Sequence, residues 1–140
     1  MPFLHYLLFG EEKSARHAID GIIEYLDTLK YDGADLGSIW SVEQNTAIFW
    51  CSLVYDWCYP QLTGEEKELL IRLCVSHAST SEIEWLPTVE KAYGLGHSTE
   101  QSLMRDFLAF SIAVYDEYPE AYNYVSGRIF NEYIPAFNFM

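Results

Sequence analysis

His97 is the residue whose type and setting most invite chemistry. It stands in Gly94-Leu95-Gly96-His97-Ser98-Thr99-Glu100, after two glycines that let the backbone turn and let another molecule approach closely. Ser98-x-x-Gln101 is a capping box that opens a helix directly behind it. Unpaired N–H groups at a helix start favour negative charge, and the same field keeps an imidazole neutral and therefore able to act as a base. Glu100 falls in the first turn of that helix. The pair could bind a carboxylate and move a proton beside it, the chemistry of a general base next to a polarised acid. The same residues also read as an ordinary helix start, since a first-turn glutamate is what the dipole prefers in any case. Trp85 and Tyr93, in the segment before His97, would suit stacking on a sugar ring or the packing of a lid.

Other chemistry is thinly signalled. The chain has no GxGxxG, Walker loop, GxSxG or HExxH motif. His5, His17 and His77 lie on regular helical stretches and read as surface or core residues. Cys51, Cys58 and Cys74 are odd in number, and none belongs to a CxxC or a Cys/His cluster of zinc spacing. Cys51 and Cys58, two helical turns apart at about 10 Å, are too distant for a disulfide. Three buried thiols are expected, with no metal or redox role.

The elements that must position His97 and Glu100 are helices. Ala15, Ile19, Ile22, Ile23, Leu26 and Leu29 recur at three and four, after Glu11 and Glu12, which predicts an amphipathic helix. A short apolar helix before it should stop at Gly10. Val42 to Tyr59 is apolar on nearly every side and ends at Pro60; Trp40, Trp50 and Trp57 read as core. Thr63-Gly64-Glu65-Glu66 is a capping box for a helix running to about Ala78. The segment from 79 to 96 is less regular and has the length of a functional loop. The helix after Ser98 carries no charge from Phe107 to Tyr115 and is expected in the interior, and Pro119 opens a last helix to about Tyr133. A faint repeat joins two of these helix ends: Val54-Tyr55-Asp56 with Tyr59-Pro60, and Val114-Tyr115-Asp116 with Tyr118-Pro119, at offsets of 60 and 59. A unit of one buried and one amphipathic helix suits a solenoid or an α/α toroid, although aromatic helix ends can also match by chance.

Composition bounds the partners. The 140 residues hold 21 acidic against 8 basic side chains, a net charge of −13, which allows one domain and argues against nucleic acid or an anionic membrane surface. Four Trp, 11 Tyr and 8 Phe require a buried core. The longest uncharged run, Gln44 to Tyr55, is well short of the roughly 18 residues of a membrane span, and the first ten residues lack the basic start and cleavage site of a signal peptide. Apolar residues at both ends of the chain suggest a segment of something larger.

Several motifs together resemble a known family. Val54-Tyr55-Asp56-Trp57-Cys58-Tyr59 with Leu62-Thr63, then Gly96-His97-Ser98-Thr99-Glu100, Met104-Arg105-Asp106-Phe107-Leu108 and Ala113-Val114-Tyr115-Asp116-Glu117-Tyr118-Pro119-Glu120 resemble the N-terminal helical domain of the heparinase II/III-like polysaccharide lyases. The likeness spans most of the chain and is most specific from Gly96 to about Phe130. It implies an all-α fold of helical hairpin pairs, with residues 1–140 forming part of an incomplete α/α toroid and the family's C-terminal β-sandwich domain absent. It also implies β-elimination on a uronic-acid glycan such as heparin or heparan sulfate. His97 then matches the helical-domain histidine that abstracts the C5 proton, and Glu100 the glutamate beside the substrate carboxylate. The family's catalytic tyrosine, a further histidine and a structural metal site would fall after Met140. The resemblance therefore implies an acidic polysaccharide and the missing β-domain as partners, no cofactor within this segment, and no lyase activity of this segment alone. Family members act in the periplasm or outside the cell, and this chain shows no export signal. Eight basic residues are few for a heparin groove, so either the missing domain supplies positive charge or the substrate is a less sulfated uronate polymer such as alginate. The rival expectation is a non-catalytic helical repeat module that binds a glycan or protein through a groove at Trp85, Tyr93 and His97.

Overall fold

The computed structural model describes residues 1–29, 40–79 and 100–139, without the side chains of 40–45, 100–103, 136 and 139. These residues form an all-α fold, and there is no strand among them. Helix α1 covers Pro2–Phe9, α2 Glu12–Thr28, α3 Trp40–Trp57 and α4 Gly64–Ser79. A π-helical segment, Glu100–Phe107, leads into α5, Leu108–Ala113. Helix α6, Pro119–Arg128, passes through a second π-helical stretch, Ile129–Tyr133, into α7, Ile134–Phe139.

Each boundary has a local cause. Gly10 ends α1 in the left-handed region at φ 69°, its N–H donating to the carbonyl of Tyr6. That conformation suits a residue without Cβ. Pro60 cannot continue α3, and Tyr59–Gln61 tightens into one 3-10 turn. The capping box forms as the sequence predicts: Thr63 Oγ1 accepts from the Glu66 N–H at 3.2 Å, and Glu66 Oε2 accepts from the Thr63 N–H at 2.8 Å. Beyond α6 the helix runs past the expected end at Tyr133. Pro135 lacks the N–H that an α-helical ladder needs, and the wider π-helical turn lies just before it.

Helix α3 is central and packs against α1, α2, α4, the first π-helical segment and α5. Small side chains on it, Ala47 and Cys51, and Cys58 just beyond its end, are fully buried and let these neighbours approach. The expected α2 stripe is found: Ala15, Ile19, Ile22 and Leu26 are buried, while Ile23 and Leu29 pack at its margin. All three thiols are free and buried. Two expectations need correction. Trp50 and Trp57 are only partly buried, packing on Phe3 at the edge of the core with ring centroids at 6.0 and 5.4 Å, while the Trp40 side chain lies outside the described residues. The uncharged stretch from Phe107 to Tyr115 is not wholly interior either. Phe107, Phe110 and Val114 are buried, but Ile112 and Tyr115 are exposed because α5 packs on α3 and α6 and leaves one side to solvent.

Candidate functional site

The sequence places the candidate chemistry at His97 and Glu100, with Trp85 and Tyr93 nearby. His97, Trp85 and Tyr93 lie outside the described residues, as does the side chain of Glu100, whose backbone opens the first π-helical segment. What is described is the platform on which that segment rests. Arg105 donates from Nε to Oδ1 of Asp106 and from Nη2 to Thr46 Oγ1 on α3 at 3.3 Å, and its guanidinium lies 5.1 Å from the centre of the Phe49 ring. Asp106 is 1% exposed. Burial pushes its carboxyl up to about 6, and the pairing with Arg105 only partly opposes that rise. Thus Met104-Arg105-Asp106-Phe107-Leu108 fastens the helix that begins at Glu100 onto α3, with Phe107 buried beneath it. A π-helical turn often marks a functional position in a helix. Here it contains both the candidate Glu100 and this anchor.

A second cluster escaped the sequence reading. Glu117 Oε1 accepts from the Tyr59 hydroxyl at 2.6 Å and from Lys67 Nζ at 3.0 Å, and Lys67 Nζ sits 3.3 Å from the centre of the Tyr59 ring. Burial favours the neutral form of Glu117, but the donors from Tyr59 and Lys67 outweigh it and hold the carboxyl below its usual range. The cluster ties the end of α3 and the start of α4 to the turn after α5. Beside it the Tyr55 hydroxyl is buried and, among the described residues, has no hydrogen-bond partner. Burial first, and the nearby Glu117 charge second, push its pKa upward. Glu117 is close enough for its charge to act on Tyr55, yet the pair lacks the geometry of a hydrogen bond.

The two copies of the Val-Tyr-Asp motif meet at a cleft of about 730 Å³, to which Asp56 and Tyr59 contribute from the first copy and Tyr115 and Asp116 from the second. The repeat was the signal that could have located this cleft. Equivalent valines, Val54 and Val114, are both buried, whereas the tyrosines differ: Tyr55 is fully buried and Tyr115 is half exposed.

Two of the remaining histidines have local partners. His77 Nε2 donates to the Leu26 carbonyl at 2.7 Å, which fastens α4 to the end of α2, and His5 Nδ1 lies 3.2 Å from Glu11 on the surface. Among the described residues no group of three or more His, Cys, Asp or Glu is placed to hold a metal ion, and no helix is long and apolar enough to cross a membrane. No family model matches the chain, and no curated protein matches it.

Proposed function

We propose that this chain is the helical-domain portion of a polysaccharide lyase that cleaves uronic-acid glycans by β-elimination. The observation that carries the reading is the run of separated motifs, Gly96 to Glu100, Met104 to Leu108 and Ala113 to Glu120, in the order and spacing of the heparinase II/III-like family. The packing is compatible with a toroid of helical pairs: α3 and α5 pack against each other, and the equivalent motifs, one in the last turns of α3 and one just beyond α5, meet at the same cleft. Exposed apolar side chains on α1, the second π-helical stretch and α7, among them Leu8, Phe9, Phe130 and Phe137, offer surface on which further helices of a toroid would pack.

In the proposed reaction His97 abstracts the C5 proton of the uronate. Glu100, protonated, donates to the C6 carboxylate and disperses the charge that develops there, which requires its pKa to be raised. An acid supplied by the rest of the protein protonates the departing O4, and the C4–O4 bond breaks without water. The net charge of −13 favours a plain uronate polymer over a heavily sulfated one.

The deciding experiment is assay of the full-length gene product against heparin, heparan sulfate and alginate, read as the ultraviolet absorbance of an unsaturated uronate. Absorbance that appears with at least one polymer and falls by about a hundredfold or more in His97→Ala supports the reading. Glycan binding by a folded protein with no absorbance on any polymer assigns the chain to a non-catalytic binding module instead. In Glu100→Gln, weakened binding with unchanged turnover counts against the role given to Glu100.

A further inference from the structure

The internal repeat has no part in the elimination chemistry, yet the fold brings its two copies to one cleft. Asp56 and Asp116 both line it and are both exposed, and among the described residues neither carboxylate has a hydrogen bond or an ion pair. The adjacent Glu117 differs, being neutralised by Lys67. Among the described residues no basic side chain lines the cleft. Asp56 sits in the last turn of α3 and Asp116 just beyond the end of α5, where helix carbonyls already make the potential negative and an acid is disfavoured. A charge arrangement of that kind is complementary to a cation that the described chain does not supply.

The remaining lining selects the kind of cation. Tyr115 and Tyr122 stand at right angles with ring centroids 5.6 Å apart, forming an aromatic corner, and Tyr59 closes another side. Ring faces attract ammonium groups, and Tyr59 already does so with Lys67 on one face. A small, strongly hydrated metal ion gains little from such rings. An organic ammonium is weakly hydrated and can use rings, carboxylates and the apolar side chain of Ile112 together. The volume lies within the range of roughly 300 to 1,000 Å³ typical of small-molecule sites.

We infer that the cleft between the two Val-Tyr-Asp motifs is a binding site for an alkylammonium ligand. Asp56 and Asp116 supply the countercharge, Tyr115 and Tyr122 face the cationic head, and Ile112 meets the apolar part.

Titration of the 140-residue chain with choline, followed through the ring resonances of Tyr115 and Tyr122, tests this. Saturable shifts are expected, with about tenfold weaker binding of the neutral isostere that has carbon in place of the ammonium nitrogen. Asp56→Asn combined with Asp116→Asn should weaken choline by about tenfold or more, and Tyr122→Leu, which keeps bulk but removes the ring, by about fivefold. A control pair of exposed acids on α2, Glu12→Gln with Asp27→Asn, makes the same change in net charge and should leave affinity within about twofold. Circular dichroism of each variant verifies that it is folded. Absence of saturation, equal binding of the neutral isostere, or an equal loss in the control pair each overturns the inference, the last by assigning the effect to the general field of the chain.

Discussion

Glu66 does two jobs at one carboxylate. It closes the capping box on Thr63 and receives Arg16 in a two-pronged bridge, Nη2 to Oε1 at 2.6 Å and Nη1 to Oε2 at 3.2 Å, while Arg16 Nη1 also reaches the Gln61 carbonyl at 3.1 Å. This joins α2 to the α3–α4 connection. Glu66→Gln keeps an acceptor for the cap but loses the charge. It should cost about 1 kcal/mol at neutral pH, a figure kept low because the Arg16 side chain is 37% exposed and solvent screens the pair. Glu66→Ala removes the cap as well and should cost about 2 kcal/mol. Urea midpoints check both. The hydrogen bonds from Arg16 hold the Glu66 carboxyl at about 2 against an ordinary 4.5. Its stabilisation is therefore present above pH 4.5 and lost as pH falls through that value toward 2. Asp106 has the opposite sign. Burial raises it from 3.8 to about 6, so the folded chain takes up the proton first, and stability on this account rises as pH drops from above 6 toward 3.8. The gain is at most about 3 kcal/mol. Asp106→Asn should abolish that rise in melting temperature; a variant whose pH profile parallels the parent's would show that Asp106 does not titrate there.

At the scale of elements, the turn between α1 and α2 rests on Gly10. A Cβ there would meet nothing within 4 Å, so the penalty of Gly10→Ala is conformational alone, set by φ 69°. A loss of about 1 kcal/mol is expected in urea unfolding, and no loss would mean that the turn relaxes out of the left-handed region. Gly10, the Thr63/Glu66 box and the α2 stripe were legible in the sequence because each is set by residues within one or two turns of one another. The continuation of α6 into α7 was not, because a proline that ends a helix and one absorbed after a π-helical turn look alike in sequence. Nor was the solvent-facing side of α5, since an uncharged run does not say which of its sides a neighbour will cover. The cluster of Tyr59, Lys67 and Glu117 joins positions 50 residues apart or more, and only the packing of α3 and α4 against the turn after α5 brings them together. The candidate site was read from local spacing around His97. The Arg105 and Asp106 anchor beside it depends on Thr46 and Phe49 of α3, which no local pattern in the sequence announces.

At the scale of the whole molecule, the net charge of −13 acts on everything at once. Two effects of salt oppose each other. Screening weakens ion pairs such as Arg16 with Glu66 and Lys67 with Glu117, each worth up to about 1 kcal/mol when partly exposed. It also relieves the repulsion among acids with no ion pair among the described residues, including Asp56, Asp116 and, on α2, Glu12, Glu24 and Asp27. The pairs are short-range and partly shielded from solvent, whereas the repulsion acts over distances comparable with the Debye length, which shrinks from about 20 Å at 20 mM salt to about 6 Å at 0.3 M. Repulsion should therefore yield first. Urea midpoints measured across that salt range should rise, by about 1 kcal/mol in stability, and a fall would mean that the ion pairs govern the response. The same field reaches the two proposed ligands with opposite sign. Added salt should weaken choline at the Asp56 and Asp116 cleft and, by screening the chain from the proposed substrate, lower the KM for a uronate polymer in the full-length protein. A KM that instead climbs steeply with salt, as binding driven by counterion release does, would place a strongly basic groove elsewhere in that protein and restore a sulfated glycan as its substrate.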